Sequence, residues 1–174
     1  MFDSRKPDPR WAAHVPKADL VSSVQRWAVG AAVPAPVADV LATARRLLID
    51  SYCAYEYSLV AVIWALFALE ASLKDYLSVR ADSWEGRTFG ALINEAWNSG
   101  LITQNEAVAL RGAALLRNRV VHGHLQPKPP PHSYLPQDAL TMLEAIHEAI
   151  ADLYARRQAL SFLPPQPAEA RHSH

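Results

Sequence analysis

The sequence predicts an all-α protein, an up-and-down bundle of about five helices. Three observations predict it. Apolar residues recur at helical spacing in several long segments. Helix start and stop signals stand at the ends of those segments. No segment alternates apolar and polar residues between turn signals, as a half-buried strand would. The chain has 174 residues, 51% of them hydrophobic and 20% charged. That suits one domain with its own core and excludes a disordered chain.

Residues 1–35 read as an irregular or partly helical N-terminal extension, punctuated by Pro7, Pro9, Pro16 and Pro34. The bundle is expected over residues 36–160, followed by a flexible C-terminal tail at 161–174. Its first helix starts at Pro36 or Val37, where proline suits a first turn, and runs to about Ser51. Val40, Leu41, Ala44, Leu47 and Leu48 make its apolar face. The second helix runs from about Ala54 to Val79, and its stretch from Leu59 to Phe67 is apolar on all sides. A helix of that kind sits at the centre of its bundle. A loop follows, and a short helix runs from Thr88 to about Ser99, with Gly100 as its C-terminal cap. Thr103-Gln104-Asn105-Glu106 reads as a capping box opening a helix that continues to Val121, ahead of Gly123. After a proline-rich loop, the last helix runs from about Gln137 to Leu160. Its buried stripe is Leu140, Leu143, Ile146, Ile150 and Leu153.

Composition excludes several classes of function. Formal net charge is zero, so global charge argues for neither nucleic acid nor membrane binding. Cys53 is the only cysteine, which rules out an intrachain disulfide and a cysteine metal cluster. Its reading is an apolar filler in a reducing compartment, and the localisation expected is cytoplasmic. The apolar run Leu59 to Leu69 is closed by Glu56 and Glu70 and is too short to cross a bilayer. The segment Trp27 to Ala38 lies too far in, and holds too much proline, to be a signal peptide.

Local charge is less even. From Ala107 to Gln137 there is no Asp or Glu, while Arg111, Arg117, Arg119, His122, His124, Lys128 and His132 fall in that window. A solvated loop explains such a stretch by chance; a local anion site explains it by function. On a wheel of about 100° per residue, Leu110, Ala113, Ala114, Val120 and Val121 make a broad apolar face with Arg117 in its middle. An arginine there either crosses an interface or is paired in a buried site. In the central helix Ile63, Leu66, Phe67, Glu70, Leu73 and Leu77 share one stripe, and Glu70 is its only acid. Glu70 and Arg117 are therefore expected to pair. A structural salt bridge between two helices accounts for the pair as well as a catalytic arrangement does. Asn118 and His122, four apart, share a face, and Arg111 falls between them on the wheel. Arg117 and His122, five apart, do not share one.

The segment Arg117-Asn118-Arg119-Val120-Val121-His122 at a helix end resembles the signature of HEPN-family helical bundles: an arginine, a polar residue, then a histidine. The stretch Leu66 to Lys74, with Glu70, is similar to the glutamate-bearing second helix of many members, and the similarity spans roughly Pro36 to Leu160. The resemblance implies a bundle that dimerises through its motif helices. It also implies one of two functions: a metal-independent RNA endonuclease in a toxin or defence system, with an antitoxin or other protein partner, or a silent module that binds a nucleotide, RNA or protein. In the first, the candidate catalytic residues are Arg117, Asn118 and His122, supported by Glu70. Arg111, Arg119, His124 and Lys128 are the candidate contacts to RNA phosphate. One toxin branch carries a tyrosine two residues after the histidine; this chain departs from it with His124.

The chemistry is consistent on residue grounds. Attack by the RNA 2′-hydroxyl on the adjacent phosphate needs a proton acceptor near neutral pH, which His122 supplies. It also needs a cation for the developing charge, which Arg117 supplies. No cofactor is expected. His122-Gly123-His124 has no carboxylate or cysteine near it in sequence, so no metal site is expected either. Without catalysis, His122 is a cation at a helix end, facing free carbonyls.

Overall fold

A computed structural model describes residues 6–27, 29–78, 87–121 and 136–161; of residues 116, 119–121 and 160–161 it describes the backbone alone. These residues form seven helices: α1 (Pro9–Ala12), α2 (Lys17–Arg26), α3 (Ala35–Asp50), α4 (Tyr57–Ser78), α5 (Phe89–Asn98), α6 (Gln104–Val121) and α7 (Pro136–Ser161). No strand occurs among them. The protein is all-helical, as expected, with two more helices than the five anticipated.

The two additional helices lie in the N-terminal extension, where proline starts helices as well as breaking them. Pro9 occupies the first turn of α1, and Asp8 caps that turn by accepting from the Arg10 backbone N–H at 2.9 Å. Pro16 is the N-cap of α2. Neither position needs a backbone N–H, so proline costs nothing there. Trp11 and Leu20 are fully buried, and Val24 and Trp27 nearly so, in the same core as α3 to α7.

Among α3 to α7, four boundary signals act as anticipated, while Gly123, expected to stop α6, lies outside the described residues. Pro36 lies in the first turn of α3. Thr88 caps α5 by accepting from the Ala91 N–H at 3.3 Å. α5 ends where Gly100 takes φ +71° and the Leu101 N–H returns to the Ala96 carbonyl at 2.9 Å. That left-handed turn is the reason for glycine there. The capping box of α6 forms: the Thr103 N–H donates to Glu106 Oε2 at 2.6 Å, and the Glu106 N–H to Thr103 Oγ1 at 3.3 Å.

α4 is the central helix and packs against α3, α5, α6 and α7. Ala61, Val62, Ala65, Leu66, Ala68, Leu69 and Leu73 are fully buried along it. Each large aliphatic side chain so buried contributes about 1.5–3 kcal/mol. Over Tyr57–Leu77, α4 is long and apolar enough by length and composition to cross a membrane, with mean hydropathy 1.5, although its unbroken apolar run alone is too short. In this fold 56% of that window is buried against its neighbours, while Tyr57, Val60 and Trp64 stay exposed. Leu143, Ile146, Ile150 and Leu153 of α7 are buried as the stripe predicts, and Leu140 is partly so.

Candidate functional site

Glu70 and Arg117 meet between α4 and α6. Arg117 Nη2 lies 2.8 Å from Glu70 Oε2, with the two side chains only 19% and 12% exposed. The pair follows from the two wheels: each charge occupies the apolar face of its helix, and these faces pack together. The contact is electrostatic more than directional, because Glu70 Oε2 and Arg117 Nε are both buried without a well-aligned hydrogen bond. The guanidinium also lies over Phe67, its Cζ 5.1 Å from the ring centroid. Phe67 in turn meets Trp64 edge-on, with centroids 6.1 Å apart. Arg117 Nη1 reaches Asn118 Oδ1 at 3.5 Å, the long limit of a hydrogen bond.

Lys74 is the member of this cluster that sequence reasoning missed. Its Nζ sits 2.8 Å from Glu70 Oε1, on the carboxylate oxygen that Arg117 leaves free. The signal was present: Glu70 and Lys74 stand at the i,i+4 spacing that favours such a pair. One carboxylate between two cations leaves the cluster with a single positive charge. It is enclosed on the Glu70 side and open at Lys74, which is 43% exposed.

Arg111 points elsewhere. Its Nε and Nη2 donate to Asn94 Oδ1 of α5 at 3.1 and 2.6 Å, and its Cζ lies 5.4 Å from the centroid of Trp97. α6 thus sends Arg117 toward α4 and Arg111 toward α5, and the fold does not bring the two guanidinium groups together. Asn118 is exposed. The apolar face of α6 around Arg117 is turned to the core, where Leu110 and Ala114 are buried. Among the described side chains of α6, the exposed large apolar ones are Val108 at 60% and Leu115 at 62%. The Arg119 side chain, His122, His124 and Lys128 lie outside the described residues.

A second polar site, unmarked in the sequence, lies away from this cluster. His147 of α7 is buried against Trp27, ring centroids 5.2 Å apart, and its Nε2 has no hydrogen-bond partner. Burial, with a smaller contribution from the Arg45 charge, pushes the imidazole down to about 4. Arg45 is itself held by the Trp27 carbonyl at 2.8 Å, and Glu144 accepts from Trp27 Nε1 at 3.4 Å.

Fold and cluster together define an all-helical protein with an enclosed, net-cationic ion triad between its central helix and α6. No family model matches the chain, and no curated protein or solved structure matches it.

Proposed function

We propose that this chain is a cytoplasmic, metal-independent endoribonuclease of the HEPN toxin or defence type. The observation that carries the reading is the Lys74–Glu70–Arg117 triad. It supports an anion site because two cations share one carboxylate, and its Arg117 stands five residues ahead of His122 in the sequence. Glu70 holds the Arg117 guanidinium in place, so little side-chain entropy is lost when a phosphate approaches. In the proposed reaction the RNA 2′-hydroxyl attacks the adjacent phosphorus and its proton passes to the His122 imidazole. The bond from phosphorus to the 5′-oxygen breaks, and that oxygen takes a proton from a second acid. Arg117 stabilises the added negative charge, and Asn118 orients the histidine or a phosphate oxygen. The products are a 2′,3′-cyclic phosphate and a 5′-hydroxyl.

One histidine per chain covers one proton transfer, so a homodimer with two motifs supplies both. Val108 and Leu115 on the outer face of α6 support assembly through that helix. Arg119, His124 and Lys128 would follow the RNA backbone, with Arg111 joining them only on leaving Asn94 and Trp97, and an antitoxin or other protein partner would restrain the activity. His122→Ala should lower cleavage of total RNA about 10²–10⁴-fold while helical circular dichroism is unchanged. Activity should survive EDTA, and DNA should stay intact for want of the 2′-hydroxyl.

A second reading is favoured by the enclosure of Arg117, which is 19% exposed and already paired with Glu70. On it, the pair holds α4 and α6 in register, and the chain is a silent helical module binding a nucleotide, RNA or a protein. Wild-type protein that leaves RNA uncut under all conditions would select this reading. Cleavage that requires Mg²⁺ would reject the proposed mechanism.

A further inference from the structure

α6 and α7 do not close against each other over their whole length. Between them runs a groove of about 330 Å³ whose floor includes Leu69 of the central helix. Its walls alternate small and large side chains: Ala109 and Ala113 beside Leu110 on α6, and Ala145 and Ala149 beside Ile146 on α7. Each alanine pair stands at i,i+4 spacing, so each wall presents two methyl groups where longer side chains would fill the gap. The lining runs from Ile102 to Ala113 on one side and from Met142 to Arg156 on the other. At 1.5 Å per residue this is roughly 17–21 Å, or three to four helical turns.

The rim is unevenly charged. Glu148 and Asp152, one turn apart, stand exposed along the α7 wall. At one end Arg156 donates to the Leu101 carbonyl at 2.6 Å and to Glu106 at 3.2 Å, so its charge is largely answered by Glu106. Its distance to Asp152 is 4.0 Å, with Asp152 65% exposed. Three acids and one arginine leave the rim with a net charge of two negatives, concentrated on α7.

We propose that this groove is a docking site for an amphipathic helix of a partner protein. That helix carries a bulky aliphatic stripe at i, i+3/i+4 and i+7, with Lys or Arg flanking it on the α7 side. Length, apolar floor and walls of alternating small and large side chains fit the stripe, and Glu148 and Asp152 fit the basic flank. Other occupants fit less well. The polar residues of the lining are the four charged ones of the rim, so a small polar ligand would find few groups to orient it. Symmetric pairing with a second copy would set Glu148 and Asp152 against their own counterparts. An anionic lipid surface would meet the same acids. The inference does not depend on whether His122 is catalytic.

The test is selection of a displayed library of helices about 18 residues long, with an apolar stripe and flanks randomised among Lys, Arg, Glu and Gln, against the full chain. Selected helices should be enriched in Lys or Arg on one flank. Ala149→Trp, which fills the groove, should weaken their binding more than about tenfold. The double variant Glu148→Lys/Asp152→Lys alters exposed residues alone and leaves the fold intact. It should weaken binding about 3- to 10-fold and restore preference for Glu-flanked helices. The proposal fails if no helix is selected, if selected flanks carry no charge bias, or if both variants bind as wild type does. It also fails if light scattering shows a wild-type dimer that Ala149→Trp dissociates, since the occupant is then a second copy.

Discussion

Glu70 is tolerated among apolar neighbours because a cation reaches each of its oxygens, and removing it leaves those cations uncompensated. Glu70→Ala strands the Arg117 guanidinium against Phe67 and should cost about 3 kcal/mol in urea unfolding, the lower end for a broken buried pair, because the pair is not wholly enclosed. Unchanged stability would mean that the pair contributes nothing. His147 makes a different residue-scale prediction. Its imidazole titrates near 4 in the fold, against an ordinary value of 6.5. Above 6.5 it is neutral in both folded and unfolded chains and contributes no pH dependence. As pH falls from 6.5 toward 4 the unfolded chain takes up the proton first, so stability declines across that window and levels off below it. The full loss is about 3 kcal/mol. His147→Phe should flatten the urea midpoint between pH 6.5 and 4; a profile identical to wild type would place the titration elsewhere.

At the scale of the element, capping governs where the helices begin. Thr103→Ala removes the hydroxyl half of the α6 capping box and should lower stability by about 1 kcal/mol, read from the thermal midpoint. Glu106 remains partly held by Arg156, so the helix should shorten at its start without melting. Helix bounds were legible in the sequence wherever such local chemistry marks them: Pro36, Thr88, Gly100 and the Thr103–Glu106 box all act as read. The Glu70–Arg117 contact was legible too, because a lone charge on an apolar face demands a partner. What local pattern does not carry is which neighbour a helix leans on. Arg111 turns to Asn94 and Trp97 on α5, and His147 meets Trp27 across more than a hundred residues. Ala109 and Ala149 line one groove between α6 and α7. Each depends on how helices lie relative to one another, and no spacing within one helix encodes that. Pro9 and Pro16 left open which parts of the extension are helical, since a proline that breaks one segment also suits the first turn of the next.

The whole molecule draws its stability from one shared core that reaches into the N-terminal extension. Trp11, although carried on a four-residue helix, is fully buried beside Tyr52. The Asp8 N–H donates to the Tyr52 carbonyl at 2.7 Å, and Arg10 bridges Asp8 and Glu56 while lying over the Tyr55 ring. Trp11→Ala should therefore cost about 3–5 kcal/mol, as for a large side chain removed from a core. A loss below about 1 kcal/mol would show that the extension is an appendage. A single cooperative unfolding transition, common to far-UV and tryptophan signals, is expected for such a shared core.

The position of α4 has a consequence for how the chain is made. α4 is the most apolar of the described helices and the hub of the fold, yet α7, one of its main partners, is the last of them in chain order. During synthesis α3 is already available, so a helical hairpin of α3 and α4 is expected to form first from local contacts. The face of α4 that α7 will cover stays bare until α7 itself has left the ribosome. For that interval the nascent chain displays a hydrophobic helix of membrane-spanning length, a target for any chaperone or insertion machinery at the exit tunnel. Prompt arrival of α7 decides whether that helix becomes the centre of a bundle or is captured on the way.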